Sequence, residues 1–530
     1  MQRRQFLEYA GCLSAAAVSG LAEPSLASST LAASRANAAL PPAADPEHPL
    51  ALHPENARYF LFRGKPLVLI AATEHYGSVV NRRFDFMKYL EDAAEKKQTV
   101  TRTFLLFREL QGARNPCSPV KPDSPDYIAP WPRTGPGKAM DGEPIYDLDQ
   151  WNPEYFDRLH RFLTAASNLG IVVELTVLSN TYGDSVWELN PLRAENNKQK
   201  IGKVSWQEYT SLRNPELLAR QEAYVRKIVQ ETCNYDNIYY EICNEPGGGE
   251  PGHVTPADVD AWQQKIAGIL RHELSRHNRH HLIFGQNAFR YAPSFQQSFD
   301  DSYAGSMLDA VNVHPLPNLV YRNRTYQLGN FMSKELQLEQ FRAFFLATSS
   351  ASKPSISDED NCASIYRDDD GWTIHRKRAW MAVLCGAHYD YIDFSITVGS
   401  EAGTKESRHK IRSWMQYLSE FIHSFDFIHS QPDSSWLTGK PDHLVAGTLA
   451  VPGSDYVAYL ADGRELTDSS AGQPIGGMVS LVLPPGKFHA TLYSPLTGMY
   501  SPPLRIDGGQ SVAVELLPFQ HDIVLRIRRA

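Results

Sequence analysis

Between residues 57 and 429, short apolar runs rich in β-branched residues alternate with stretches whose apolar positions recur at helical spacing. The runs predict eight strands: Leu67–Thr73, Thr99–Leu106, Ile171–Leu178, Asn237–Cys243, His281–Gly285, Asp309–Val313, Pro354–Asp358 and Tyr389–Thr397. The helical stretches carry their own start signals. Asn214-Pro215-Glu216 supplies an N-cap, a first-turn proline and a first-turn acid, followed by an apolar face of Leu218, Val225, Ile228 and Val229. Thr255-Pro256-Ala257-Asp258 has the form of a capping box, followed by Val259, Trp262, Ile266, Ile269 and Leu270. Continuously apolar strands are buried on both faces, which is the habit of parallel sheets flanked by helices. Eight such units predict a closed (β/α)8 barrel, a TIM barrel, rather than an open sheet.

The pattern changes near residue 430. Leu444–Val451, Tyr456–Leu460, Met478–Leu483, Phe488–Tyr493, Val512–Leu516 and Ile523–Ile527 are short, often alternating runs. Pro484-Pro485-Gly486 and Asp507-Gly508-Gly509 separate some of them as turns, and helical periodicity disappears. Residues 430–530 are therefore expected to form a small C-terminal β-sandwich. Two long insertions, about residues 107–152 and 179–213, follow strand ends and so fall on the face where barrels keep their loops. Their aromatics Tyr127, Trp131, Tyr146, Trp151, Tyr182 and Trp187 suggest walls of a substrate cleft.

At the other end of the chain, Arg3 and Arg4 precede a weakly apolar stretch through Leu21, and Ala36-Asn37-Ala38 supplies a small-x-small cleavage site. This reads as a twin-arginine-like signal peptide over residues 1–38, with a Pro- and Ala-rich linker over 39–56. The expectation is export by the twin-arginine machinery to the periplasm or beyond, with no membrane span. Removing residues 1–38 would take away three Arg and two acidic residues, moving the formal charge from −8 to −9. No basic stripe appears, which excludes a nucleic-acid binder of the usual kind. Cys117, Cys233, Cys243, Cys362 and Cys385 would remain. Their number is odd and their spacing fits no zinc site. Asp368-Asp369-Asp370 reads as a solvated acidic loop, and His277, His280 and His281 cluster near a helix end without the carboxylates of a metal site.

The chemistry concentrates at two strand ends. Asn237-Ile238-Tyr239-Tyr240-Glu241-Ile242-Cys243-Asn244-Glu245-Pro246 runs a strand into Asn-Glu-Pro and then Gly247–Gly249. This resembles the fourth barrel strand of clan A glycoside hydrolases, the group that includes the family 5 cellulases. Lys353-Pro354-Ser355-Ile356-Ser357-Asp358-Glu359 resembles the seventh strand of the same clan. The resemblance implies that Glu245 is the general acid/base, Glu359 the nucleophile and Asn244 a contact to the sugar 2-hydroxyl. Cleaving a glycosidic bond in this way needs one ionised carboxylate to attack the anomeric carbon and one protonated carboxyl to release the leaving oxygen. No cofactor is required. Strand alternation sets Asp358 and Asp360 on the face opposite Glu359; the spacing of the resembled clan favours Glu359 as nucleophile, with Asp358 as the fallback.

Further positions follow from the same resemblance. Arg102 in the second strand corresponds to the clan arginine that keeps the nucleophile ionised, with a structural salt bridge as its alternative. His314 ends the sixth strand like the His of the clan's His-x-Tyr element, but Leu316 replaces the Tyr. His75, Asn180 and Asn287 follow other strands as candidate sugar contacts. The clan's platform Trp on the eighth strand is absent, leaving Phe394 or Tyr391 to substitute. The barrel-plus-sandwich arrangement is also similar to family 140-like proteins, whose tail is of a collagen-binding type; Asp455–Asp462 and Ser494-Pro495-Leu496-Thr497-Gly498 carry that likeness. The expected substrate is an oligo- or polysaccharide with β-linkages. The missing Tyr and Trp leave a second reading open, an exported glycan-binding protein on a barrel that has lost turnover.

Overall fold

The computed structural model describes residues 47–530 apart from 74–76, 107–124, 182, 248–253, 286–304, 306, 314–317, 322–323, 328–336, 361–368, 393–404 and 465–467. Eight parallel strands form one sheet: β1 Ile70–Thr73, β2 Val100–Phe104, β3 Val172–Ser179, β4 Ile238–Asn244, β5 Ile283–Gly285, β6 Ala310–Val313, β7 Ser355–Asp360 and β8 His388–Ile392. Their order around the sheet is 1-8-7-6-5-4-3-2. Each is centred on a run expected from the sequence. The last joint, between β1 and β2, is made differently from the others. The Thr99 N–H donates to the Ile70 carbonyl at 3.0 Å. Side chains do the rest: Thr99 Oγ1 accepts from the Ile70 N–H at 2.8 Å, and Gln98 Oε1 accepts from the Ala72 N–H at 3.2 Å. This seam nearly closes the sheet into a barrel.

The seven described helices of ten or more residues pack outside: α1 Phe86–Glu95, α2 Pro153–Asn168, α3 Pro215–Thr232, α4 Pro256–Arg276, α5 Leu338–Thr348, α6 Asp369–Leu384 and α7 Lys405–His423. The caps read from the sequence form as expected. Asn214 Oδ1 accepts from the Leu217 N–H at 2.8 Å, and Thr255 and Asp258 make a reciprocal capping box. Each satisfies backbone N–H groups that the helix start would leave bare.

The end of the expected linker is folded, which corrects that expectation. Ala51–Leu52, Phe60–Phe62 and Lys65–Leu67 form a three-stranded antiparallel sheet. Leu50 and Phe60 are fully buried and pack with Val100, Val172, Tyr239, Phe284, Ala310 and Ile356. They close the bottom of the barrel, because apolar side chains there have nowhere else to leave water. The turn between the second and third of these strands uses Arg63 and Gly64, both at positive φ (49° and 73°), as a tight two-residue hairpin requires.

The C-terminal region is a two-layer sandwich. One sheet has three strands, Leu437–Gly439, Ile475–Val482 and Ser511–Phe519. The other has five, in the order Leu444–Val451, Asp455–Asp462, Asp522–Arg529, Lys487–Tyr493 and Leu504–Asp507. The inner faces meet through Val479, Leu481, Val514, Leu516, Leu525 and Ile527. The outer face of the larger sheet is buried as well: Leu449, Val457, Tyr459 and Val524 share a core with Trp380, Met381 and Phe421 of α6 and α7. One ion pair lies in this seam. Arg376 on α6 donates twice to Asp522, at 2.9 and 2.8 Å, and the Tyr459 hydroxyl donates to the same carboxylate at 2.9 Å.

Candidate active site

Residues paired in a parallel ladder point to the same face, so register decides what lines the barrel. Arg102 pairs with Glu174, Glu174 with Tyr239, and Thr176 with Glu241. All are buried, and they meet inside the barrel. Arg102 donates to Glu241 Oε2 from Nη2 at 2.6 Å and from Nε at 3.1 Å. Its Nε also stands 3.1 Å from Asp358 Oδ2 on β7 and 3.3 Å from Glu174 Oε1 on β3. Thr176 Oγ1 donates to Glu241 Oε2 at 2.6 Å. Asn312 Nδ2 on β6 and the Tyr239 hydroxyl donate to the two oxygens of Glu174, each at 2.6 Å. A charge this deep must be paired to persist, and this cluster pairs one guanidinium with three carboxyls.

The cluster reaches the mouth of the barrel through Asn244. Arg102 Nη2 donates to Asn244 Oδ1 at 2.9 Å, which turns the amide's donor end toward Ser179, 3.4 Å away. The Asn180 N–H donates to the Asn244 carbonyl at 3.1 Å, locking the ends of β3 and β4 together. Glu245 follows immediately, nearly buried at 5% exposure and in the left-handed region at φ 42°. That conformation costs a non-glycine residue about 1–3 kcal/mol and is held only where the surroundings over-determine it. The neighbouring Cys243 is an inert thiol: burial, then Glu241, pushes it well above its usual range.

The seventh strand departs from simple alternation. Ser357 pairs with Tyr389 and Asp360 with Tyr391, so Asp358 and Glu359 together stand opposite one residue, Asp390. This bulge separates two acids that alternation would have placed on one face. Asp358 joins Arg102 inside the barrel. Asp360 instead meets Arg378 of α6 at 2.9 Å, accepts from the Tyr389 hydroxyl at 2.8 Å, and lies 3.2 Å from His375. Burial works against its charge, but Arg378 and His375 outweigh it and hold Asp360 below the usual carboxylate range. The shared facing expected for Asp358 and Asp360 is thus overturned, and each acid finds its own partner.

Of the residues singled out from the sequence, the structure brings together Arg102, Asn244, Glu245 and Asn180. Glu359 lies in the bulge, and its side chain is outside the described residues, as are His75, Asn287, His314, Leu316 and Phe394. Tyr391 is buried with its ring 4.5 Å from that of His375, behind the barrel wall. The insertion aromatics are core rather than cleft surface. Tyr127, Trp131, Tyr146 and Trp187 are buried, and Trp151 is half-buried against Trp131; Tyr182 is outside the described residues. Glu174, Glu241, Tyr239, Thr176 and Asn312 had not been singled out as site residues. The signal was there: an acid or amide inside Val-Val-Glu-Leu, Tyr-Tyr-Glu-Ile and Ala-Val-Asn-Val, strands otherwise read as buried on both faces. Carboxylate oxygens of Glu174, Glu241 and Asp358 lie within 4.8 Å of one another, close enough to hold a cation. Arg102 already supplies the positive charge among them.

Residues 131–379 match the family model of the cellulases, glycosyl hydrolase family 5. The chain is a glycoside hydrolase, similar to family 5 over this stretch. The matched stretch is a little under half of the chain; it includes both Glu245 and Glu359 and begins after Arg102. No curated protein sequence matches the chain. Among solved structures, one described as a glycoside hydrolase superposes with a TM-score of 0.59 at 14% identity, covering 91% of this chain and 97% of its own. A family 5 glycoside hydrolase from Bacteroides vulgatus gives 0.58 at 14% identity, covering 91% and 93%. At that identity the likeness is one of fold. No helix among the described residues of this glycoside hydrolase is long and apolar enough to cross a membrane.

Proposed function

We propose that this glycoside hydrolase cleaves β-linked glycans with retention of configuration, with Glu245 as acid/base and Glu359 as nucleophile. The observation that carries the reading is the end of β4, where Asn244 is held by Arg102 and Glu245 is turned sharply out of the strand. In the first step Glu245 gives its proton to the leaving glycosidic oxygen while the Glu359 carboxylate forms a bond to the anomeric carbon. In the second, Glu245 takes a proton from water, whose oxygen displaces the carboxylate. Asn244, with Oδ1 occupied by Arg102, offers its N–H end to the sugar 2-oxygen. The proposed setting is outside the cytoplasm, on the strength of Arg3-Arg4 and the small-x-small site ending at Ala38.

The test is hydrolysis of a polysaccharide and aryl β-glycoside panel. Glu245→Gln is expected to lower kcat by about 10²–10⁴ on glycans with poor leaving groups. The loss should be much smaller on aryl glycosides whose leaving group needs no proton, whereas Glu359→Ala should abolish turnover of both. Full turnover of glycans by Glu245→Gln would remove the assignment.

A further inference from the structure

The barrel interior holds more acid than it can ionise. Around Arg102 stand Glu174 on β3, Glu241 on β4 and Asp358 on β7, all buried. One positive and three negative charges would leave a net charge of −2 away from water, and interacting carboxyls relieve that by keeping a proton. The partners point to the one that keeps it. Arg102 lies 2.6 Å from Glu241 and 3.1 Å from Asp358, but 3.3 Å from Glu174. Glu174 is instead served by neutral partners: Asn312 donates to Oε1, and 2.6 Å from Oε2 stands the Tyr239 hydroxyl, whose oxygen takes the acid's O–H when Glu174 is un-ionised.

We propose that Glu174 is a positioning residue for glycoside cleavage and works with its carboxyl un-ionised, leaving the Arg102 guanidinium committed to Glu241, Asp358 and the side chain of Asn244. Burial first, then the facing Asp358 and Glu241 carboxylates, hold Glu174 well above the usual carboxylate range against the pull of Arg102. The groups facing it among the described residues are Arg102 from β2, Tyr239 and Glu241 from β4, Asn312 from β6 and Asp358 from β7. Asp390 on β8 adds negative charge near Tyr239. Were Glu174 to lose its proton, a third full carboxylate would compete for Arg102 and draw it from Asn244. The catalytic role rests on the assignment of Asn244 and Glu245 as the working end of β4; the protonation does not, and the two are tested separately.

The protonation is tested by urea unfolding of the wild type and Glu174→Gln from about pH 5 to about pH 9. An acid raised in the folded state binds a proton that the unfolded chain has released above its usual value of about 4.3, so it costs stability as pH rises. The variant has no such proton. Its stability relative to the wild type is therefore expected to improve with rising pH. A constant deficit across the range would mean that Glu174 is ionised and would overturn the proposal. Should the variant not fold, the Glu245→Gln protein labelled with carboxyl-¹³C glutamate, in which the acid/base can no longer contribute, decides: at neutral pH the infrared carbonyl band of an un-ionised glutamic acid is expected, and its absence overturns the proposal.

The positioning role is tested by the pH dependence of kcat/KM on an aryl β-glycoside whose leaving group needs no proton, so that the alkaline limb does not report Glu245. Glu174→Gln is expected to stay within about threefold of the wild type at neutral pH, with its alkaline limb moved up by about half a unit or more. A loss beyond about tenfold at neutral pH, or an unmoved alkaline limb, overturns the role. A wild type that cleaves nothing in the panel removes the catalytic part while the unfolding arm still decides the proton.

Discussion

The barrel interior and the seam between barrel and sandwich each bury an arginine, in opposite ways. Arg376 meets one carboxylate, Asp522, in a two-pronged pair, with the Trp414 ring 4.3 Å beneath its guanidinium. The charges balance, and the pair sits among apolar side chains of α6, α7 and the sandwich. Arg102 meets three carboxyls and an amide, and its charges do not balance. A balanced pair can settle a seam and do nothing else. An unbalanced cluster raises the energy of one of its own members, which chains keep where the proton or the field is used.

Removing the arginine from the cluster should have the largest effect. Arg102→Ala is expected to cost about 5 kcal/mol of stability, because buried carboxylates are stranded together. Its kcat/KM should also fall by about 100-fold, since Asn244 loses its anchor. Denaturant unfolding and kinetics on the same preparations would show both. Asp522→Ala should cost about 3 kcal/mol, with activity per folded molecule unchanged. The double change Arg376→Met with Asp522→Leu should recover most of that loss, since an apolar pair of similar volume needs no partner. An activity defect in Asp522→Ala at a temperature where it is fully folded would break the contrast. The smallest effect is expected at Gly447, where an added Cβ would stand 2.9 Å from Met381 Sδ and 3.3 Å from Leu384 Cβ. Gly447→Ala should cost about 1 kcal/mol, as Met381 can shift, and leave turnover untouched.

Much of the architecture was legible because it rests on local pattern. Barrel strands such as β1, β3 and β6 are short, mostly apolar runs, and Asn214 and Thr255 mark helix starts by side chains that can satisfy bare N–H groups. The shorter elements were not read. Leu437–Gly439, Leu504–Asp507 and the small sheet around Phe60 are too brief for periodicity to speak. They exist because of what they pack against. The insertion aromatics misled for a related reason. A Trp in a long Pro- and Gly-rich loop reads as surface, yet Trp131 is buried against Trp151 and Tyr224 of α3, and Trp187 against Tyr209.

The site divides along the same line. Asn244-Glu245-Pro246 at a strand end, and Lys353 through Glu359 at another, are fixed by the order of residues and fall within the stretch, residues 131–379, that matches the family model. The company those residues keep was decided only by the closed barrel. Ladder register put Arg102 beside Glu174 and Thr176 beside Glu241, strands 70 residues or so apart in the chain. On β7, one-dimensional alternation could not foresee the bulge. Asp358 is drawn inward to Arg102 and Asp360 outward to Arg378, and two acids of the same parity reach opposite faces only if the strand takes in an extra residue. A sequence carries its own hydrophobic period. The partners of a buried charge come from elsewhere in the chain and exist only once the barrel has closed.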